Sequence, residues 1–236
     1  MSSIFKKRGL IVSCQALPDE PLYGGDTMMK MAVAAEEAGA IGIRTNGTED
    51  ISRIKGKVNL PLIGIIKKTM PDTSVFITPT MKEVKEVIEA GADIVAVDTT
   101  DRGDRLKEVK EMIDYIHHKN AYAMADISVI EEGIKAEELG ADFISTTLSG
   151  YTSYSPQQDQ PDFKLIRELS EKVKKVPVVA EGRIKTPEEA VKAMKFGAKY
   201  VVVGSAITRP QLIAADYVNM VSDFLETQDN TQVKAK

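Results

Sequence analysis

Five polar side chains stand at the ends of apolar runs in this sequence: Gln15, Arg44, Lys67, Asp126 and Glu181. Counting back by two from each reaches apolar or small residues of a segment of strand length, so in a β-strand each would lie on the face of those residues. An amine, two carboxylates, a guanidinium and an amide converging from separate strands are equipment for moving a proton on a bound polar substrate. One charge at a strand end is commonplace, because strands end in water; five convergent ones read as a site. A second group suits an anion. Gly182 and Arg183 follow one apolar run, and Gly204 and Ser205 follow another. At such turns glycine lets backbone N–H groups approach a phosphoryl group, and a helix N-terminus adds partial positive charge. Arg209 lies close behind and adds a mobile positive charge suited to phosphate. Asp98 ends a further run, placed either to line the same pocket or to cap the helix that follows it.

These side chains need strands to carry them and helices to return the chain. Strand-like runs fall at 10–15, 41–44, 62–67, 94–98, 121–126, 143–147, 176–183 and 200–204. Helical patterns alternate with them: from Asp26 to a stop at Gly39, then 48–54, 80–90, 104–119, 128–139, 162–173, a helix opened by Thr186-Pro187-Glu188-Glu189, and 211–225. The segments Glu37-Ala38-Gly39-Ala40, Glu89-Ala90-Gly91-Ala92, Glu138-Leu139-Gly140-Ala141 and Lys195-Phe196-Gly197-Ala198 recur about every 50 residues, each closing a helix and opening a strand. Fourfold repetition of a two-strand unit predicts an α/β protein with a single closed (β/α)8 TIM barrel, whose site forms at the C-terminal ends of the strands. A doubly wound open sheet is the alternative, but the first strand lacks the glycine-rich turn that such folds carry. The expected barrel domain covers residues 1–226, with 227–236 a polar, frayed tail.

Composition narrows the function. The 236 residues are 43% hydrophobic, ample for one core. A formal net charge of -4 leaves no basic footprint for nucleic acid. No apolar run reaches the roughly 20 residues needed to cross a bilayer and nothing reads as a signal peptide, so a soluble, cytoplasmic protein with no membrane partner is expected. Cys14 is the sole cysteine and reads as a packed core residue rather than a nucleophile. His117 and His118 are the only histidines, adjacent at a helix end, and read as surface residues. No metal site can be assembled from them.

Taken in order along nearly the whole chain, several motifs resemble one family. They are Cys14-Gln15-Ala16-Leu17 with Asp19-Glu20-Pro21-Leu22, Gly42-Ile43-Arg44-Thr45-Asn46, Ile65-Ile66-Lys67, Val75-Phe76-Ile77-Thr78-Pro79-Thr80, Ser145-Thr146-Thr147-Leu148-Ser149-Gly150-Tyr151-Thr152, Ala180-Glu181-Gly182-Arg183-Ile184 and Gly204-Ser205-Ala206-Ile207-Thr208-Arg209-Pro210. Together they are similar to the bacterial N-acetylmannosamine-6-phosphate 2-epimerases. The resemblance implies interconversion of N-acetylmannosamine 6-phosphate and N-acetylglucosamine 6-phosphate in sialic acid breakdown, an amino-sugar phosphate as the small-molecule partner, and a homodimer. It also implies that Lys67 and Glu181 are the catalytic pair and that Arg44, Asp126 and Arg209 belong to the site. Lys68-Thr69-Met70 and Asp101-Arg102-Gly103-Asp104 depart from the family pattern.

The chemistry agrees with the residues. Inverting C2 beside an acetamido group requires removal of a weakly acidic C–H proton, which the C1 aldehyde of the opened ring makes accessible by delocalising the carbanion. The site must supply a base, a proton for the opposite face and donors for the enolate oxygen. Lys67 is expected as the acid/base, Glu181 as the group that tunes it, and Arg44 with Asp126 as the holder of the C1–C2 region, while Gly182 and Arg183 turn to the phosphate. Two influences oppose each other at Lys67: burial lowers its pKa and a neighbouring carboxylate raises it. No nicotinamide, flavin or metal is required, since there is no net redox change or hydrolysis. Two other readings use the same residues, namely a Schiff-base aldolase or lyase built on Lys67 and a non-catalytic sugar-phosphate binding protein. The polar loop 149–161 is expected either to close over substrate or to form a fixed rim, and the apolar positions of the last helix to face the barrel or a partner.

Overall fold

In the computed structural model, which describes residues 4–70, 74–102 and 105–233, the eight apolar runs form strands that pair in sequence order and close on themselves. They are β1 (Gly9–Cys14), β2 (Gly42–Asn46), β3 (Leu62–Ile65), β4 (Ile94–Asp98), β5 (Tyr122–Asp126), β6 (Phe143–Ser145), β7 (Val178–Glu181) and β8 (Tyr200–Val203). All pairings are parallel, and β8 returns to β1 with Ile11 opposite Val202. The helices are α1 (Thr27–Glu37), α2 (Thr48–Lys55), α3 (Met81–Glu89), α4 (Arg105–His118), α5 (Ile130–Leu139), α6 (Phe163–Lys172), α7 (Pro187–Lys195), α8 (Ser205–Thr208) and α9 (Pro210–Val233). This is the expected (β/α)8 barrel.

Local chemistry sets the helix starts. Thr80 and Thr186 open α3 and α7 with reciprocal capping boxes to Glu83 and Glu189, and Pro187 supplies the preset φ of a first helical position. Asp162 accepts from Leu165 N–H at 2.9 Å and so caps α6. Asp26 stands at the N-cap of α1 as expected, but its side chain makes no capping bond. The four repeat glycines, Gly39, Gly91, Gly140 and Gly197, all have φ between 91° and 105°, a conformation that stops a helix and that a Cβ would strain.

Two apolar layers follow from strand alternation. Ile43, Leu62, Val95 and Ala125 point outward to the helices, while Ile11, Ile63, Ile65, Ile94, Met124, Val179 and Val202 fill the barrel. Phe5 plugs the lower end, its ring 4.7 Å from Tyr200 and 5.6 Å from Phe143. Gly42 makes room for it, because a Cβ there would lie 2.7 Å from the Phe5 ring. Cys14 is fully buried, and burial, with Asp50 adding to it, pushes its thiol up to about 12, so it packs as a small apolar residue. His117 lies at the surface against Asp142 at 2.8 Å, and His118 is exposed.

The departures from expectation lie at the ends. Lys67 and Thr147 fall beyond β3 and β6 rather than inside them. A four-residue helix, α8, precedes the expected last helix and is separated from it at Arg209, whose backbone is pushed out of the helical region by the ring of Pro210. The helix α9 continues past residue 226 to Val233, so helix ends within the segment expected to be frayed. Its apolar residues do not pack on the barrel: Tyr217, Val218, Met220, Val221, Phe224 and Leu225 are 55–76% exposed. Residues 1–3, the expected helix start at Asp104 and residues 234–236 lie outside the described residues. No helix among those described is long and apolar enough to cross a membrane.

Candidate active site

Strand parity delivers the charged residues to one place. Arg44 follows Gly42 on the inward face of β2, Asp126 follows Met124 on β5, and Glu181 follows Val179 on β7. Lys67 keeps the parity of Ile63 and Ile65 although β3 has ended. Its backbone N–H donates to Asn46 Oδ1 at 2.8 Å, and the chain around it pairs with the segment that follows: Lys68 N–H donates to Phe76 O at 2.9 Å and Thr78 N–H to Ile66 O at 2.7 Å. Lys67 is thus carried by a short antiparallel ribbon standing on the barrel rim.

Arg44 is the hub. Its Nη2 lies 2.6 Å from Asp126 Oδ2, and its Nη1 lies 3.2 Å from Asp126 Oδ1 and 3.1 Å from Glu181 Oε2. Arg44 is 1% and Asp126 0% exposed. Burial by itself would lower the guanidinium, but Asp126 and then Glu181 more than offset this and hold it above its usual value. Glu181 shows the opposite balance. Burial and the nearby Asp126 push its carboxyl up, against the pull of Arg44 and of Lys67; a hydrogen bond given to it by Thr147 would pull the same way as Arg44.

Lys67 is lowered to about 8, first by burial and then by Arg44, with Glu181 pulling the other way. Its ammonium has no hydrogen-bond or ion-pair partner among the described residues. Of the two opposing influences burial wins: with the pKa brought to about 8 the ammonium still predominates at neutral pH, and the free amine is a minor form that grows as pH rises. A lysine so poised beside a cavity can act as a base near neutral pH.

The cavity measures about 530 Å³, within the usual range for a small-molecule site. Gln15, Arg44, Lys67, Glu181, Gly182, Arg183, Gly204, Ser205 and Arg209 all line it. Asp126 does not; it stands behind Arg44. Asp98 does not line it either, since its carboxylate accepts from Thr100 and from Arg102 Nη2 at 2.6 Å. Gln15 donates to Ser13 Oγ at 2.8 Å and keeps its Oε1 without a partner, as Arg44 keeps its Nε. Both are buried polar atoms for which a ligand would supply the missing bond.

Arg209 is held rather than mobile. Its Nη2 lies 3.0 Å from Glu20 Oε2, and Gln211 donates to Glu20 Oε1 at 3.1 Å. Arg183 is likewise engaged: Nη1 donates to Ser149 O at 2.6 Å, and its guanidinium stacks 4.7 Å from the centre of the Tyr151 ring. The loop after β6 is tied down by Ser149 Oγ to Asp162, Gly150 N–H to Ser155 Oγ, Thr152 Oγ1 to Ser128 Oγ and Tyr154 Oη to Glu132 at 2.6 Å. In this structure the loop lies against the barrel through these contacts.

Three residues that sequence reasoning passed over belong here. Glu20 anchors Arg209. Ser145 and Thr147 continue the inward parity of Phe143 and stand between the two carboxylates, with Thr147 Oγ1 2.8 Å from Asp126 Oδ1 and 3.2 Å from Glu181 Oε2. The parity signal that found Lys67 applies equally to Thr147, but a neutral hydroxyl does not stand out. No group of three or more His, Cys, Asp or Glu among the described residues is arranged to hold a metal ion.

Over residues 28–223 the chain matches the family described as "Putative N-acetylmannosamine-6-phosphate epimerase". A protein of Caldanaerobacter subterraneus named "Putative N-acetylmannosamine-6-phosphate 2-epimerase" is 53% identical to it, over 98% of this chain and 96% of that one. A protein of the same name from Clostridium perfringens is 51% identical, over 91% and 97%. Among solved structures, the N-acetylmannosamine-6-phosphate 2-epimerase from Clostridium perfringens superposes with a TM-score of 0.86 at 52% identity, covering 89% of this chain and 92% of that one. Deoxyribose phosphate aldolase from Aeropyrum pernix, at 17% identity and a TM-score of 0.65, shares the fold alone.

Proposed function

The chain belongs to the N-acetylmannosamine-6-phosphate epimerase family, and we propose that Lys67 and Glu181 carry that family's reaction in it. The protein is an isomerase, inverting C2 of N-acetylmannosamine 6-phosphate to give N-acetylglucosamine 6-phosphate in sialic acid degradation. The observation that carries the assignment of roles is the unpartnered Lys67, lowered to about 8 beside Arg44 and Glu181. In the ring-opened sugar its neutral amine takes the C2 proton and becomes an ammonium, while the electron pair moves through C1 onto the aldehyde oxygen. A proton derived from solvent and delivered to the opposite face of C2 gives the epimer, and the Lys67 ammonium returns its proton to solvent, which resets the base. Arg44 offers positive charge to the developing enolate in a low-dielectric setting, and Asp126 fixes the direction in which that charge points. Gln15 Oε1 is free to accept from a substrate hydroxyl or amide. Gly182, Arg183, Gly204 and Ser205 receive the phosphate, with Arg209 beside them. For Arg183 this contact comes from the main chain, since its guanidinium is held by Ser149 and Tyr151.

A lysine of this kind also suits imine formation, and one experiment separates the two chemistries. Conversion followed by NMR should proceed with cyanoborohydride present at neutral pH, which reduces an imine and largely spares the sugar's aldehyde, and mass spectrometry should find no reduced adduct on Lys67. A trapped sugar adduct there would instead assign a Schiff-base mechanism.

We further propose a homodimer, acting in the cytoplasm. The doubly charged phosphate of the substrate does not cross a bilayer unaided. Support for the dimer is the exposed apolar face of α9, where Tyr217, Val218, Val221 and Phe224 recur at helical spacing and are all exposed. Sedimentation equilibrium at micromolar concentration should give about twice the 25.8 kDa chain mass, and Val221→Asp with Phe224→Asp should return the monomer. A wild-type monomer would contradict it.

A further inference from the structure

We propose that Thr147 is a positioning residue that settles which of the two carboxyl groups holds a proton: its hydroxyl donates to Asp126 and shows Glu181 only a lone pair, so that Glu181 faces the substrate as a neutral carboxylic acid. The inference rests on the reading of the site given above and deepens it.

A hydroxyl has one proton to donate and two lone pairs. Thr147 Oγ1 nevertheless has oxygen neighbours on three sides: Asp126 Oδ1 at 2.8 Å, Ser145 Oγ at 2.8 Å and Glu181 Oε2 at 3.2 Å. Ser145 Oγ is itself 3.5 Å from Glu181 Oε2. Two oxygens 2.8 Å apart with no proton between them repel, so each of the short contacts must contain one. Asp126 accepts from Arg44 through both oxygens, the arrangement of an ionised carboxylate. It cannot supply a proton without giving up that pair. The protons therefore run one way, from Ser145 to Thr147 and from Thr147 to Asp126.

What Thr147 has left for Glu181 Oε2 is a lone pair. Their 3.2 Å contact is attractive only when Oε2 carries a proton. That oxygen also accepts from Arg44 Nη1 at 3.1 Å, which a carboxylic acid hydroxyl can do while donating. The other oxygen, Oε1, makes no hydrogen bond among the described residues and is the one left for substrate. The groups facing Glu181 are Arg44 from β2, Lys67 from the ribbon after β3, Asp126 from β5, and Ser145 and Thr147 from β6. Beyond Lys67 stand Arg209, at the α8–α9 junction, and Glu20, in the loop after β1, both of which act on Lys67. Burial and Asp126 push the Glu181 carboxyl up, in the same direction as the proton count, and the opposing pull of a hydrogen bond from Thr147 falls away once that hydroxyl gives its one proton to Asp126.

The consequence reaches Lys67. An ionised Glu181 would favour the ammonium, whereas a neutral one removes that pull and leaves burial and Arg44 to weaken the amine's hold on its extra proton. Thr147 thus acts on the base through Glu181, without touching it.

The test compares Thr147→Val, which keeps the shape and removes the hydroxyl, with Thr147→Ser, which keeps the hydroxyl and removes the methyl. The readout is the C=O stretch of a protonated carboxyl in difference infrared spectra, each protein against its own Glu181→Gln derivative, followed with pH in the ligand-free enzyme. A band should be present in the wild type, its titration midpoint should move to lower pH in Thr147→Val because hydrocarbon cannot accept the proton, and it should stay in place in Thr147→Ser. Thr147→Val should also lose about tenfold or more in kcat with KM within about threefold, and Thr147→Ser should recover most of that loss. A midpoint unmoved or raised in Thr147→Val, or no band in the wild type, would overturn the proposal. Thermal melting checks the fold. Should Thr147→Val not fold, Thr147→Ala replaces it, and equal midpoints for Thr147→Ala and Thr147→Ser overturn the proposal. The infrared result does not depend on Lys67, so an active Lys67→Ala variant would remove the role given to the lysine and leave this measurement to decide by itself.

Discussion

Lys67→Ala should lower kcat/KM for N-acetylmannosamine 6-phosphate by about three orders of magnitude or more, in line with removal of a positioned general base. Binding should survive, because the phosphate end of the substrate meets the loops after β7 and β8 and not the lysine. The two measurements separate a chemical role from a structural one: the variant should still protect against thermal unfolding when product is added. The wild type should also show the lysine in its pH profile. A group lowered to about 8 from 10.5 is an ammonium below that value and a free amine above it. As a base it acts only when neutral, so kcat/KM should rise with pH and level off above about 8. A profile that falls over that range would contradict the assignment.

Arg44→Met should be the most damaging single change to stability, costing about 3–5 kcal/mol in a fold whose total is roughly 5–15 kcal/mol. It strips the counter-charge from Asp126, which is fully buried, and a hydrogen-bond donor from the Oε2 of Glu181. Urea unfolding of the variant against the wild type measures the loss. The double change Arg44→Met with Asp126→Leu should regain much of the stability, since a packed apolar pair replaces a buried ion pair at little cost. Activity should stay lost, because no donor then faces the enolate. Recovery of activity together with stability would mean that Arg44 serves the fold and not the chemistry.

The barrel was legible because its signals are local and repeated. Gly39, Gly91, Gly140 and Gly197 share one backbone conformation for one reason, and alternation by two along each strand predicts which side chains face inward. Arg44, Lys67, Asp126 and Glu181 could be found because a charge stands out where that alternation places apolar residues. Thr147 obeys the same parity without standing out, and its importance comes from partners 21 and 34 residues away. Glu20 and Arg209 are 189 residues apart and meet only when the barrel closes. A sequence pattern holds no record of such a pair. The four-residue α8 before Pro210 was not expected, whereas the last helix, placed at 211–225, lies within α9. Its apolar positions could not by themselves reveal whether they face the barrel or lie exposed. Asp126 was expected at the substrate and instead supports Arg44 from behind, a distinction of depth that parity does not contain.

The central claim is that this barrel moves the C2 proton of an amino-sugar phosphate through Lys67. Proton NMR of N-acetylmannosamine 6-phosphate in heavy water tests it most directly. With the wild type, the C2 proton signal should disappear as deuterium enters from solvent while N-acetylglucosamine 6-phosphate accumulates, and with Lys67→Ala both changes should stop together. Product formed by Lys67→Ala, or wild-type protein that binds the sugar phosphate and leaves its C2 proton in place, would contradict the account.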